Sequence, residues 1–112
     1  MADAFKDREK GYEAKFKMDE ERRFRVDSRR NRLIGEWAAS KLGLASGAIA
    51  DYVKGVVRTD IDIPGFEDVV RRIVADFEKN GIKIGESDIR QEMHRLREVA
   101  AEQVNKEFPA QL

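Results

Sequence analysis

Phe66-Glu67-Asp68-Val69-Val70-Arg71-Arg72-Ile73-Val74-Ala75-Asp76-Phe77 is the stretch that decides the fold class. Its apolar residues recur at i, i+3, i+4, i+7, i+8 and i+11, which is one face of a helix with 3.6 residues per turn. Pro64 fits the first turn of that helix, and Asn80-Gly81 closes it.

The same period extends to both sides. Upstream, Ser46 is a candidate N-cap for a helix that turns Ile49, Tyr52, Val53, Val56 and Val57 inward. Its valines would also suit a strand, but their spacing is helical. Before it, Leu33, Ile34, Trp37, Ala38 and Leu42 form a wide apolar face that ends at Gly43, a plausible C-terminal cap. Downstream, Ser87 can cap a fourth helix with Ile89, Met93, Leu96, Ala100 and Val104 inward and Pro109 beyond its end. The expected fold is all-α, a four-helix bundle in which short connections keep sequence neighbours side by side and antiparallel.

The chain has 112 residues, enough for one modest core. Residues 1–32 do not join it readily. They hold 11 Lys/Arg against 8 Asp/Glu, no proline and one glycine. Opposite charges fall at helical spacing, Glu13 with Lys17, Asp19 with Arg23 and Glu21 with Arg25, and each such pair contributes about 0.2 to 0.5 kcal/mol. A long helical N-terminal arm is expected, marginal by itself and partly mobile. Residues 1–20 form this flexible arm and residues 21–112 the bundle. Phe5, Tyr12 and Phe16 lie within about 40° of one another on it, a stripe too narrow for a core and suited to docking on a partner.

Catalysis has little to work with. Cysteine is absent, which removes disulfides, thiolate nucleophiles and cysteine-containing zinc sites. His94 is the sole imidazole, and Glu92, Arg95 and Arg97 around it mark a solvated helix face. Gly43 to Gly47 lacks the Lys-Ser/Thr of a phosphate loop, although helix N-termini leave weak ATP or ADP binding open. No enzyme activity, resident cofactor or metal is therefore expected. Lys+Arg and Asp+Glu are both 22, so bulk charge points to no class of partner. No apolar run approaches the roughly 20 residues of a membrane span, and the N-terminus fits neither a signal nor a transit peptide.

One stretch, Arg22 to Arg32, carries six arginines around Phe24 and by itself could read as a nucleic-acid contact. The favoured alternative pairs Arg22, Arg23, Arg25 and Arg29 with Asp19, Glu20, Glu21 and Asp27 on a solvated face, while Arg30 and Arg32 lean on the bundle and pair with acidic groups elsewhere in it.

Taken together, Phe5-Lys6-Asp7-Arg8-Glu9-Lys10, Glu13-Ala14-Lys15-Phe16, and Arg29-Arg30-Asn31-Arg32-Leu33-Ile34-Gly35-Glu36-Trp37-Ala38-Ala39 up to Leu42-Gly43-Leu44 resemble the zeta subunit of the alphaproteobacterial F-type ATP synthase. The resemblance covers nearly the whole chain and departs mainly at Thr59 to Gly65 and at Asn105 to Leu112. It implies a regulatory inhibitor of ATP hydrolysis by the synthase's catalytic head. The N-terminal segment would insert between the catalytic subunits and the central rotor, with the alpha, beta and gamma subunits as partners. It also implies a cytoplasmic protein, peripheral to the inner membrane through the synthase, with no nucleic acid bound. Carried over position by position, Phe5, Arg8, Glu9, Tyr12, Glu13, Lys15 and Phe16 become partner contacts, and Arg29, Arg30, Asn31 and Trp37 the structural junction.

Overall fold

A computed structural model describes the backbone of residues 2–62 and 66–109, and the side chains of residues 19–59 and 66–109. The fold is all-α, with α1 over Ala2–Leu42, α2 over Ser46–Asp62, α3 over Glu67–Lys79 and α4 over Glu86–Glu107. Helix α1 packs along α2 and α4, α3 packs along the same two helices, and α1 and α3 meet only across the diagonal. The result is a four-helix bundle.

Its core is built from the inward faces read above. Ile34 and Ala38 of α1, Val56 of α2, Val69, Val70, Ile73 and Phe77 of α3, and Ile89, Met93 and Leu96 of α4 form one buried cluster. Trp37, Leu42, Tyr52 and Val74 pack on its margin. Helix α1 remains one rod from arm to core because nothing between Ala2 and Leu42 breaks it; its Gly11 and Gly35 stand singly and it has no proline.

Two glycines set the length of the helices. Gly43 (φ 69°) and Gly81 (φ 68°) take the left-handed conformation that only glycine adopts cheaply. At the first, Leu44 N–H bonds to the Ala39 carbonyl and Gly43 N–H to that of Ser40. At the second, Ile82 N–H reaches the Phe77 carbonyl and Gly81 N–H that of Glu78. Each pair is a Schellman closure, which satisfies carbonyls the helix leaves open.

Helix starts depart from the expected caps. Helix α2 begins at Ser46 itself, because the Ala45 carbonyl already accepts from Ala48 N–H at 2.8 Å. Helix α4 begins at Glu86 with Gly85 as its cap residue, placing Ser87 within the first turn. The ladder there starts when Ile89 N–H bonds to the Gly85 carbonyl. Pro64 lies outside the described residues. Phe66, expected on the buried face of α3, instead precedes that helix as its cap residue and is 43% exposed. Its ring faces the guanidinium groups of Arg30 and Arg90, 6.0 and 5.9 Å from its centre.

A candidate partner-binding arm and its junction with the bundle

The side chains of Phe5, Arg8, Glu9, Tyr12, Glu13, Lys15 and Phe16 lie outside the described residues, and so does the mobility expected of the arm. What is described is the backbone that carries them: residues 2–18 belong to α1. Asp19, Glu20 and Glu21 are exposed, and the first buried side chain among the described residues of α1 is Val26. Val26 packs with Ala100 and Val104 of α4 and with Leu33. It stands seven residues before Leu33, two helical turns along the same face, a signal the reading of α1 passed over.

Around Val26 the arginines divide differently from the sequence-based expectation. Arg29, placed there on a solvated face, crosses to α4, where its Nη1 donates to Gln103 Oε1 at 2.9 Å and its Nη2 to Glu107 Oε2 at 2.6 Å. Arg22 also crosses, donating to Asn105 Oδ1 at 3.0 Å and to the Phe108 carbonyl at 3.2 Å. Arg25 lies over the Phe108 ring, 3.7 Å from its centre. Arg30 donates to Asp27 on its own helix at 3.5 Å, and Arg32 faces Glu36 at 3.6 Å while its charge also acts on Glu107 of α4, an acidic group elsewhere in the bundle. Arg22, Arg25 and Arg29 stand at i, i+3 and i+7 and share the face turned toward α4; Arg32, seven residues after Arg25, continues that face, and its charge helps to lower the Glu107 carboxyl.

Among the described residues Arg30 and Asn31 are the buried polar ones, 7% and 1% exposed. The Arg30 guanidinium donates to Asn31 Oδ1 from both Nε and Nη2, at 3.3 Å each. Asp27 also faces Arg97 of α4 at 3.4 Å, so an acidic residue stands between two cations. Burying a guanidinium is tolerated when its donors are satisfied and a carboxylate is near. Arg30 and Asn31 thus meet each other, whereas Arg29 points to Gln103 and Glu107 of α4. Trp37 lies about 9 Å further along the helix, half-buried, with its ring centre 5.7 Å from that of Phe77.

Electrostatics at the junction follow from these contacts. The hydrogen bond from Arg29 holds the Glu107 carboxyl below the usual carboxylate range and raises the guanidinium in return. Across the bundle, Arg90 grips both oxygens of Glu67, at 2.9 and 2.8 Å, and lowers that carboxyl likewise. Arg22, Arg25, Arg29, Arg30 and Arg32 each meet a partner inside the chain.

His94 is exposed beside a shallow groove of about 340 Å³ lined by Arg30, Phe66, Arg90, Met93 and Arg97. The N-termini of α3 and α4 carry Glu67 with Asp68 and Glu86 with Asp88, whose charges already complement the helix dipoles and repel a phosphate there. Among the described residues no group of His, Asp or Glu could hold a metal ion, and no helix is long and apolar enough to cross a membrane.

Residues 1–103 match the family described as ATPase inhibitor subunit zeta. No curated protein sequence matches the chain.

Proposed function

Because the chain belongs to the ATPase inhibitor subunit zeta family, we propose that it restrains ATP hydrolysis by inserting the N-terminal part of α1 between the catalytic subunits and the central rotor of the F-type ATP synthase. Membership already makes it a regulatory subunit associated with that enzyme. Insertion, and the alpha, beta and gamma subunits as the surfaces met, are the finer reading.

One observation carries it: α1 runs unbroken from Ala2 to Leu42, yet its first buried side chain among the described residues is Val26. Residues 2–21 would add roughly 30 Å of helix beyond the bundle at 1.5 Å per residue. A rod of that length, charged for the most part and bearing Phe5, Tyr12 and Phe16 on one stripe, suits a groove between subunits. In this reading Phe5 and Phe16 are the anchors, while Arg8, Glu9, Tyr12, Glu13 and Lys15 set the register. The bundle holds the rod. The wedge acts on rotation, so the chain itself needs no catalytic group. It works on the cytoplasmic side, attached to the membrane only through the synthase.

The test is to titrate the full chain, and a version lacking residues 1–17, into the purified catalytic head while following ATP hydrolysis. Inhibition by the full chain alone is the expected result. Equal inhibition by both, or by neither, overturns insertion of the arm.

A further inference from the structure

The end of α4 grips the root of α1. On α1, Arg22, Arg25, Val26 and Arg29 fall at i, i+3, i+4 and i+7; on α4, Ala100, Gln103, Val104 and Glu107 repeat that spacing. Val26 sits against Ala100 and Val104, and the arginines close over it from both ends. Arg29 holds Gln103 and Glu107, Arg22 holds Asn105 and the Phe108 carbonyl, and Arg25 covers the Phe108 ring.

Phe108 is the C-cap residue of α4, its own N–H spent on the Val104 carbonyl. Carbonyls at a helix C-terminus need donors, and the negative end of the helix dipole attracts cations. Arg22 supplies a donor and a charge together. Asn105, Glu107 and Phe108 lie beyond residue 103, where the family match ends, so most of this grip is made by residues outside the matched segment.

We propose that residues 103–109 form a clasp that fixes the point at which α1 leaves the bundle and, resting on the reading of its N-terminal part as the inhibitory element, tunes how strongly this chain inhibits. A helix is costly to nucleate and cheap to extend. With α1 held at Arg22 and Arg25, the turns before them extend an existing helix in a fixed direction. Opening the clasp returns the residues from Arg22 to Arg29 to the set that must be ordered on docking, and each ordered residue weakens association.

The test compares the original chain with the double variant Arg22→Gln, Phe108→Ala in two measurements. Both positions lie outside the buried core, so the bundle keeps its packing. In the free protein, amide hydrogen exchange from Arg22 to Arg29 should quicken by about tenfold or more, while the amides around Ile73 in α3 keep their protection. In the hydrolysis assay, the concentration for half-maximal inhibition should rise about tenfold with maximal inhibition unchanged. Unchanged exchange from Arg22 to Arg29 overturns the clasp, and so does an equal loss of protection in α3, which would make these contacts general stabilisers. Quickened exchange with unaltered inhibition overturns the tuning. An original chain that fails to inhibit at all sinks the inhibitory reading instead, and the exchange data still decide whether the clasp holds α1.

Discussion

Trp37 of α1 and Phe77 of α3 meet with their rings 5.7 Å apart and tilted by 57°, joining two helices that otherwise touch only across the diagonal of the bundle. Phe77 is fully buried and Trp37 half-buried. Aromatic pairs in such tilted arrangements contribute beyond the area they bury, and truncating the larger core aromatics to alanine costs about 3 to 5 kcal/mol. Phe77→Ala should therefore remove most of the stability of a domain this small. Trp37→Ala should cost somewhat less, because part of its ring already faces water. Thermal melting followed by circular dichroism checks both; a Phe77→Ala melting curve superimposed on the original would contradict the packing.

Tyr52 joins α2 to α3 by donating its hydroxyl to Asp76 Oδ2 at 2.8 Å. Burial, the bond to Asp76 and its charge together push the phenol well above its ordinary value of 10.0, and nearby Arg72 opposes them only in part. A raised folded pKa means stability that is complete below the unfolded value and fades as pH climbs past it. Denaturation midpoints should fall above about pH 10, and Tyr52→Phe should flatten that fall. At neutral pH the same variant should cost about 1 kcal/mol, the usual worth of one hydrogen bond.

Glu67 and Glu107 behave in the opposite sense. Hydrogen bonds from Arg90 and Arg29 hold both carboxyls below the usual glutamate value of 4.5. Their contribution is complete above that value and is lost as acid protonates them, so the loss belongs below about pH 4.5. Both pairs face water, which keeps the effect small and sensitive to salt. Urea midpoints of Glu67→Gln, Glu107→Gln should sit slightly below those of the original chain at pH 7 and converge with them near pH 3; a constant gap would show that proton linkage is not the cause.

Gly35 lies within α1, where glycine costs roughly 1 kcal/mol relative to alanine. A methyl group there would meet Val53 Cα at 3.4 Å and Val56 Cβ at 3.5 Å, ordinary contact distances at a close helix crossing. Gly35→Ala should accordingly be tolerated and raise stability by about 0.5 to 1 kcal/mol. A lowered melting temperature would mean that α1 and α2 cannot part by even a few tenths of an ångström.

For the arm, Phe5→Ala and Phe16→Ala should each weaken inhibition of ATP hydrolysis by about tenfold or more, the size expected when an aromatic anchor is truncated. Melting should be unchanged in both variants, since the described contacts of α1 with the rest of the bundle start at Arg22. Full inhibition by the pair of substitutions together would remove the aromatic stripe from the docking surface.

Most of the bundle was legible in the sequence. Periodicity alone assigns Val69, Val70, Ile73 and Phe77 to one face of α3, and Ile89, Met93, Leu96, Ala100 and Val104 to one face of α4; all are buried. The ends of α1 and α3 were legible for an equally local reason, because Gly43 and Gly81 permit a conformation other residues resist. Residues near in sequence set both signals. Helix starts were less legible: Ser46 and Ser87 have capping chemistry, but the neighbouring backbone closes its first turn without them.

What only the tertiary structure decided is where the charges go. Arg29 has Asp27 two residues away, yet at that spacing the two side chains leave the helix on different sides, and its partners are Gln103 and Glu107, more than seventy positions along the chain. Arg30, next to it, is turned inward and buried with Asn31. An apolar residue is assigned by the period of its own helix, since burial has no direction. An arginine is assigned by which acceptor its long side chain reaches, and that acceptor exists only once α4 lies beside α1.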